Sequence, residues 1–259
     1  MSIDRRRFLK IAGLTGVAGL AIKRTSDVLL SEELPGASTQ AGAQLTAKRW
    51  AMVIDPKKCL EKPGCTDCMH ACHYYHNVPD IGNPKDEIKW IWEEPFEHAF
   101  LDQENEFAPE SLKERPILVF CNHCDKPPCV RVCPTKATWK REDGVVMMDW
   151  HRCIGCRYCM VACPYGSRSF NWRDPRPFVK DVYMDFPTRT RGVVEKCNFC
   201  EERLAKGLRP ACVDACKQAA LVFGDLEEEH SEVRELLRAR FSIRRKPILG
   251  TSPQIYYLV

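Results

Sequence analysis

Apolar residues come in short runs along this chain, and most of these runs stop just before a cysteine-rich turn. The runs are Trp50 to Ile54, Ile117 to Phe120, Val145 to Met148 and Gly192 to Val194. Their length and their β-branched and aromatic content predict short strands. A fifth run, Ala219 to Phe223, follows the last turn. Strand, turn and short helix therefore repeat with uneven spacing, which predicts an α+β fold assembled from tandem modules. Ser231 to Arg240 sets Val233, Leu236 and Leu237 on a polar background, the pattern of one amphipathic helix. The tail ends in Ile255-Tyr256-Tyr257-Leu258-Val259, which reads as a strand docking into the core.

Two stretches break the repeat. Residues 73–120 form an insertion that holds Trp90, Trp92, Phe96, Phe100 and Phe107 among many acids; it reads as an inserted lobe whose aromatics pack over the modules. Residues 24–47 show little periodicity and read as a linker. Before them, Asp4-Arg5-Arg6-Arg7-Phe8-Leu9-Lys10 and the apolar Ile11 to Ile22 resemble a twin-arginine export signal, with the pair at Arg5 and Arg6 and Asp4 in place of the usual Ser or Thr. The apolar stretch is shorter than the ~18 residues needed to span a bilayer, so a signal fits better than an anchor. Ala41-Gly42-Ala43 offers a cleavage site, although farther from the apolar stretch than is usual. We therefore divide the chain into 1–43, signal and linker, and 44–259, the folded part.

The chemistry lies in the cysteines. All 16 fall into four groups of four. The third, Cys153-x2-Cys156-x2-Cys159-x3-Cys163-Pro164, has the bacterial ferredoxin spacing that holds a 4Fe-4S cube by thiolates. The second, Cys121-x2-Cys124-x4-Cys129-x3-Cys133-Pro134, widens one gap and keeps the proline. The first, Cys59-x5-Cys65-x2-Cys68-x3-Cys72, and the fourth, Cys197-x2-Cys200-x11-Cys212-x3-Cys216, keep the x3 step but carry His73 and Lys217 where the others have proline. A cubane needs thiolates from four directions. A tight turn supplies three, and in two-cluster ferredoxins the fourth cysteine serves the other cluster, so the motifs are expected to work in pairs. Which motif pairs with which is not fixed by spacing.

Other readings fit less well. A disulfide framework has no need of x2 and x3 steps repeated four times. Zinc ribbons use cysteines two and two, and a zinc-stabilised interaction module would be colourless and redox-silent. Covalent haem needs Cys-x2-Cys-His, which Cys68, Cys72 and His73 do not provide. His70, His73 and His76 recur on one face of a short helix and read as solvated, as does the acidic run Glu227 to Glu229. Lys136, Arg157 and Arg168 lie near cysteines and are candidates for tuning a cluster.

Charge excludes one class of partner. The chain carries +4 overall. Six cations (Arg5, Arg6, Arg7, Lys10, Lys23, Arg24) against four acids (Asp4, Asp27, Glu32, Glu33) put +2 of this before residue 44. An oxidised cubane with its thiolates carries about −2, so four would bring the rest to about −6. Nucleic acid is not an expected partner.

In motif order and gaps the chain resembles the four-cluster ferredoxin-like subunits of membrane-associated oxidoreductases, the group serving dimethyl sulfoxide, polysulfide and nitrite reduction (NrfC type). The similarity rests on Leu60 to Cys72 (LEKPGCTDCMHAC), Cys121 to Trp139 (CNHCDKPPCVRVCPTKATW), Met148 to Phe178 (MDWHRCIGCRYCMVACPYGSRSFNWRDPRPF) and Val194 to Ala215 (VEKCNFCEERLAKGLRPACVDA). The resemblance implies four 4Fe-4S clusters with crossed ligands. Cluster a would use Cys59, Cys65, Cys68 and Cys216, and cluster b Cys197, Cys200, Cys212 and Cys72. Cluster c would use Cys121, Cys124, Cys129 and Cys163, and cluster d Cys153, Cys156, Cys159 and Cys133. It also implies an electron-transfer subunit with no substrate site of its own, exported by the twin-arginine translocase to the outer face of the cytoplasmic membrane. Similarity to the branch found in DsrMKJOP-type complexes implies specific partners: an NrfD-like membrane subunit (DsrP), a multihaem cytochrome c (DsrJ), and DsrM and DsrK, in sulfate or sulfite reduction. Pairing with a molybdopterin oxidoreductase is the alternative.

Overall fold

The computed structural model describes residues 43–103 and 105–259; the stretch expected to be an export signal lies outside the described residues. Ten strands appear in chain order: β1 (Trp50–Ile54), β2 (Ile91–Pro95), β3 (Pro116–Phe120), β4 (Thr138–Lys140), β5 (Val146–Met148), β6 (Ser169–Phe170), β7 (Val194–Glu195), β8 (Leu221–Asp225), β9 (Ser242–Ile243) and β10 (Ile255–Leu258). Their pairing follows one rule. The strand after each cysteine group pairs antiparallel with the strand before the next: β2 with β3, β4 with β5, β6 with β7, and, closing the cycle, β8 with β1. Every cysteine turn is thus anchored by a strand on each side.

The β8–β1 pair is extended by β10, parallel to β1, and by β9, giving the order β8-β1-β10-β9. The tail therefore completes the sheet of its own chain, and all five residues of β1 are buried. The apolar run at 219–223 becomes a strand displaced to Leu221–Asp225. The amphipathic helix spans Glu232–Ala239 and begins where its N-cap chemistry dictates, with the Ser231 hydroxyl accepting from Arg234 N–H. Val233 is its fully buried residue, packed with Ala51, Val53 and Leu258 of the sheet. Glu227 to Glu229 are exposed and precede the helix.

Four of the five inserted aromatics join the main core or pack on it. Trp90, Trp92 and Phe100 are buried there with Phe120 and Tyr257, and Phe96 packs against them, whereas Phe107 is 85% exposed. The 105–110 segment around Phe107 offers only Ala108 and Pro109 as apolar neighbours, between Glu106 and Glu110.

The turns explain why proline is dispensable after the last cysteine. In groups two, three and four, the residue three beyond that cysteine (Lys136, Gly166, Ala219) has positive φ and donates its N–H to the cysteine carbonyl. Lys217 in place of proline leaves this turn intact in the fourth group. In the first group His73 instead continues the helix Asp67–Tyr75, and His76 N–H closes on Cys72 O at 3.1 Å.

Within the third turn, Gly155 has φ +70°, and a Cβ there would meet the Gly192 carbonyl oxygen at 2.4 Å. Gly155→Ala is therefore expected to destabilise the turn by on the order of 1–3 kcal/mol. The check is a lower temperature for loss of the visible cluster absorbance, with the other glycine turns as controls.

Candidate metal centres

Packing of short helices crosses the motifs. The helix Asp67–Tyr75 lies against Ala211–Ala215, and Pro128–Arg131 lies against Tyr158–Ala162. Each of these helices carries the end of one motif to the partner motif.

The first gathering holds Cys59, Cys65, Cys68 and Cys216 around one pocket closed by Leu118, Ala220 and Leu221. Burial pushes the Cys59 thiol up to about 11, with Cys216, Glu93 and Cys65 adding to it. Cys68 is pushed up to about 12 by burial, then by Cys59, Cys216 and Cys65. In the second gathering Cys72 lies among Cys197, Cys200 and Cys212; burial first and these three thiols next raise it well above its usual value. The third joins Cys124 to Cys121, Cys129 and Cys163, and Cys124 is pushed up to about 12, mainly by burial. In the fourth, Cys133, Cys153, Cys156 and Cys159 line one pocket. Burial acts to raise Cys133, but hydrogen bonds from the N–H groups of Thr138, Ala137 and Thr135 and from the Thr135 hydroxyl outweigh it and hold that thiol below its usual value.

These four gatherings correspond residue for residue to sets a, b, c and d. Thiols of successive sets also act on one another electrostatically. Cys212 is influenced by Cys68 of set a, Cys197 of set b by Cys121 of set c, and Cys159 of set d by Cys129 of set c. The order in space is a, b, c, d.

The donor chemistry fits 4Fe-4S clusters. Burial first and neighbouring thiols next raise Cys59, Cys68, Cys72 and Cys124, because thiolates enclosed together are unfavourable alone, and a cubane coordinated by four of them would bring the net charge to about −2. Backbone N–H groups already point at sulfur: Phe199 N to Cys197 Sγ at 3.4 Å, Ala211 N to Cys200 Sγ at 3.3 Å, and Ala220 N to Cys216 Sγ at 3.3 Å. Such bonds stabilise thiolate ligands and help set cluster potentials.

The histidines depart from the sequence expectation. His70 is exposed, but the His73 ring is largely buried and burial lowers its pKa, and His76 is 1% exposed. His76 stacks on Trp90 at 4.5 Å, and its ring nitrogens meet Cys72 O at 2.7 Å and Glu202 Oε1 at 3.0 Å. The end of the helix dips into the core, so equal spacing did not mean equal exposure. His76, Cys200 and Glu202 could together hold a metal ion, but both ring nitrogens of His76 are already engaged and Cys200 belongs to set b.

Of the three candidate tuning cations, Lys136 and Arg157 are exposed, Arg157 lying over the Trp172 ring at 4.7 Å, and Arg168 is buried. Sequence reasoning missed two buried residues, Lys196 beside Cys197 and His123 between Cys121 and Cys124. Adjacency to a ligand was the available signal.

The model of a 4Fe-4S dicluster domain matches residues 117–178 and 182–226. The chain is 38% identical to the Hdr-like menaquinol oxidoreductase iron-sulfur subunit 1 of Archaeoglobus fulgidus, over 98% of this chain and 97% of that protein. It is 38% identical to the iron-sulfur cluster-binding subunit of menaquinone reductase from Nitratidesulfovibrio vulgaris, over 81% and 88%. It is 37% identical to ArrB, the iron-sulfur subunit of arsenate respiratory reductase from a Shewanella species, over 81% and 96%.

Proposed function

The chain belongs to the family of 4Fe-4S electron-transfer subunits of oxidoreductase complexes, and from that premise we propose that it relays electrons one at a time through four cubanes, a to d, between a quinone-interacting membrane subunit and a second redox partner. The observation that carries this reading is the unbroken spatial series of four all-cysteine gatherings. The protein's own part is to hold each cluster by four thiolates, to exclude water from the inner ones and to set their potentials through hydrogen bonds and charge. It has no substrate chemistry in this reading.

The membrane-subunit contact falls at cluster d. Cys156 is exposed, and within the same motif Ile154 is 67%, Tyr158 63% and Val161 88% exposed. Apolar side chains around an exposed ligand suit a docked protein that brings its own redox centre close. Similarity to menaquinol and menaquinone oxidoreductase subunits supports an NrfD-like partner there. The finer assignment is a role like that of DsrO, between DsrP and the cytochrome DsrJ, with DsrM and DsrK completing a sulfate- or sulfite-reduction complex. The twin-arginine pattern at Arg5 and Arg6 supports a place on the outer face of the cytoplasmic membrane. Likeness to the iron-sulfur subunit of arsenate respiratory reductase supports a second reading, delivery of electrons to a catalytic reductase subunit such as a molybdopterin oxidoreductase.

The test is purification of the membrane complex followed by reduction with a menaquinol analogue. Full cluster reduction together with a co-purified polytopic subunit and cytochrome supports the relay; a chain isolated alone and not reduced contradicts it. Val161→Asp is expected to weaken retention of the membrane subunit about tenfold or more, an effect of about 1.4 kcal/mol, with all iron retained.

A further inference from the structure

Among the described residues, four Arg or Lys side chains are buried: Arg168, Arg189, Lys196 and Arg245. Two of them have a carboxylate. Arg189 pairs with Glu195 at 2.7 Å and Arg245 with Glu94 at 3.2 Å. The other two do not, among the described residues. Lys196, 1% exposed, donates only to the carbonyls of Val146 and Cys197. Arg168, 4% exposed, donates to Thr138 Oγ1 at 2.9 Å and lies 3.8 Å from Met148 Sδ.

An uncompensated buried charge costs several kcal/mol, and two near one another cost more. These two do act on each other, and both act on the buried His123 ring, whose pKa is lowered first by burial and then by the two cations. What faces them is sulfur. Burial opposes the charge of both: for Arg168 the thiols of Cys129, Cys159, Cys121 and Cys163 outweigh it and raise the pKa, whereas for Lys196 burial outweighs Cys121, Cys197 and Cys129 and lowers it. Both therefore address set c, with set d and set b as secondary neighbours. Neither addresses set a.

Resting on the reading of these sites as cubanes, we infer that Arg168 and Lys196 are the built-in counter-ions of cluster c and raise its midpoint potential. A 4Fe-4S cluster held there would accept one electron from a neighbouring centre, and its charge with thiolates would go from about −2 to about −3. A fixed cation stabilises the more negative, reduced form. No proton need move, and the step is one electron donated and one accepted. The consequence is a central cluster that accepts electrons more readily than its own ligand set would dictate, flanked by neighbours that feel one cation each. Cluster a, whose thiols are not among the leading influences on either cation, is the internal control.

The experiment is an EPR-monitored redox titration of the complete, anaerobically purified protein, with iron and sulfide counted on each sample. Arg168→Met and Lys196→Met are expected to lower at least one midpoint potential with full iron, while others stay in place. Arg168→Lys, which keeps the charge and changes the shape, is expected to restore it. Should Arg168→Met lose iron, retention of all iron in Arg168→Lys would support the same counter-ion role through assembly. Unchanged potentials in both Met variants at full iron would overturn the inference. So would equal iron loss from Arg168→Met and Arg168→Lys, because shape and not charge would then be at work. Iron well below four cubanes in the unaltered protein would strike the cluster reading itself, a result distinct from either.

Discussion

Replacing Cys163 by alanine is expected to remove cluster c and leave cluster d in place. Cys163 closes the third motif in sequence, so an unpaired motif would lose the cluster held by Cys153, Cys156 and Cys159. In the fold, however, the Cys163 thiol is raised by burial and then by Cys121, with Cys129 also acting on it, both from the second motif. The crossing follows from helix packing, since Tyr158–Ala162 lies against Pro128–Arg131 and delivers Cys163 to the neighbouring turn. Loss of about a quarter of the iron is expected, with the spectrum of the exposed cluster retained. Electron transfer along the series should fall by orders of magnitude, because an inner step is missing. Cys133→Ala should do the opposite, removing the signal of d and sparing c. Cluster-resolved EPR with iron analysis distinguishes the two, and loss of d in the Cys163 variant would overturn the crossed assignment.

The second large effect concerns stability. Glu195 on β7 is 0% exposed, paired with Arg189 at 2.7 Å, and accepts from Trp90 Nε1 at 2.9 Å and from Asn171 Nδ2. Arg189 in turn donates to the carbonyls of His76, Asn77 and Pro187 and lies over the rings of Trp90, Trp150 and Phe186. This network ties the inserted segment, the end of the helix bearing Cys72, and the strand leading to Cys197. Glu195→Ala leaves a buried guanidinium without its counter-charge and orphans the Trp90 and Asn171 donors. Breaking one side of such a pair costs about 3–5 kcal/mol. A marked fall in denaturant midpoint, accompanied by loss of cluster b before the others, is the expected result. Replacing Glu195 and Arg189 together by apolar residues should recover part of the loss, because the uncompensated charge is then gone.

Much of this was legible in the chain. Cysteine spacing located all four turns, and short apolar runs located the strand before each and the one after the last, because both signals are local; β2, β4 and β6, which follow the first three turns, were not read from the sequence. The expectation that aromatics of the insertion pack inward held for Trp90 and failed for Phe107, which has only the small Ala108 and Pro109 as apolar neighbours between two glutamates. The buried polar network was not legible. Glu195, Lys196, Arg168 and Arg189 look like surface charges in a sequence, and nothing in period or propensity says which will be enclosed; some of their partners lie more than a hundred residues away. The pairing of β1 with β10, at opposite ends of the described chain, is equally remote. His76 shows the limit of helical spacing, since its face is decided by how deep the helix end penetrates.

The central claim is a series of four cubanes, and its most direct measurement is iron, sulfide and zinc per chain on anaerobically purified protein, joined to reductive EPR titration. The account predicts about sixteen irons and sixteen sulfides, with interacting signals from adjacent reduced clusters. Zinc in the sites with no reducible signal would contradict it.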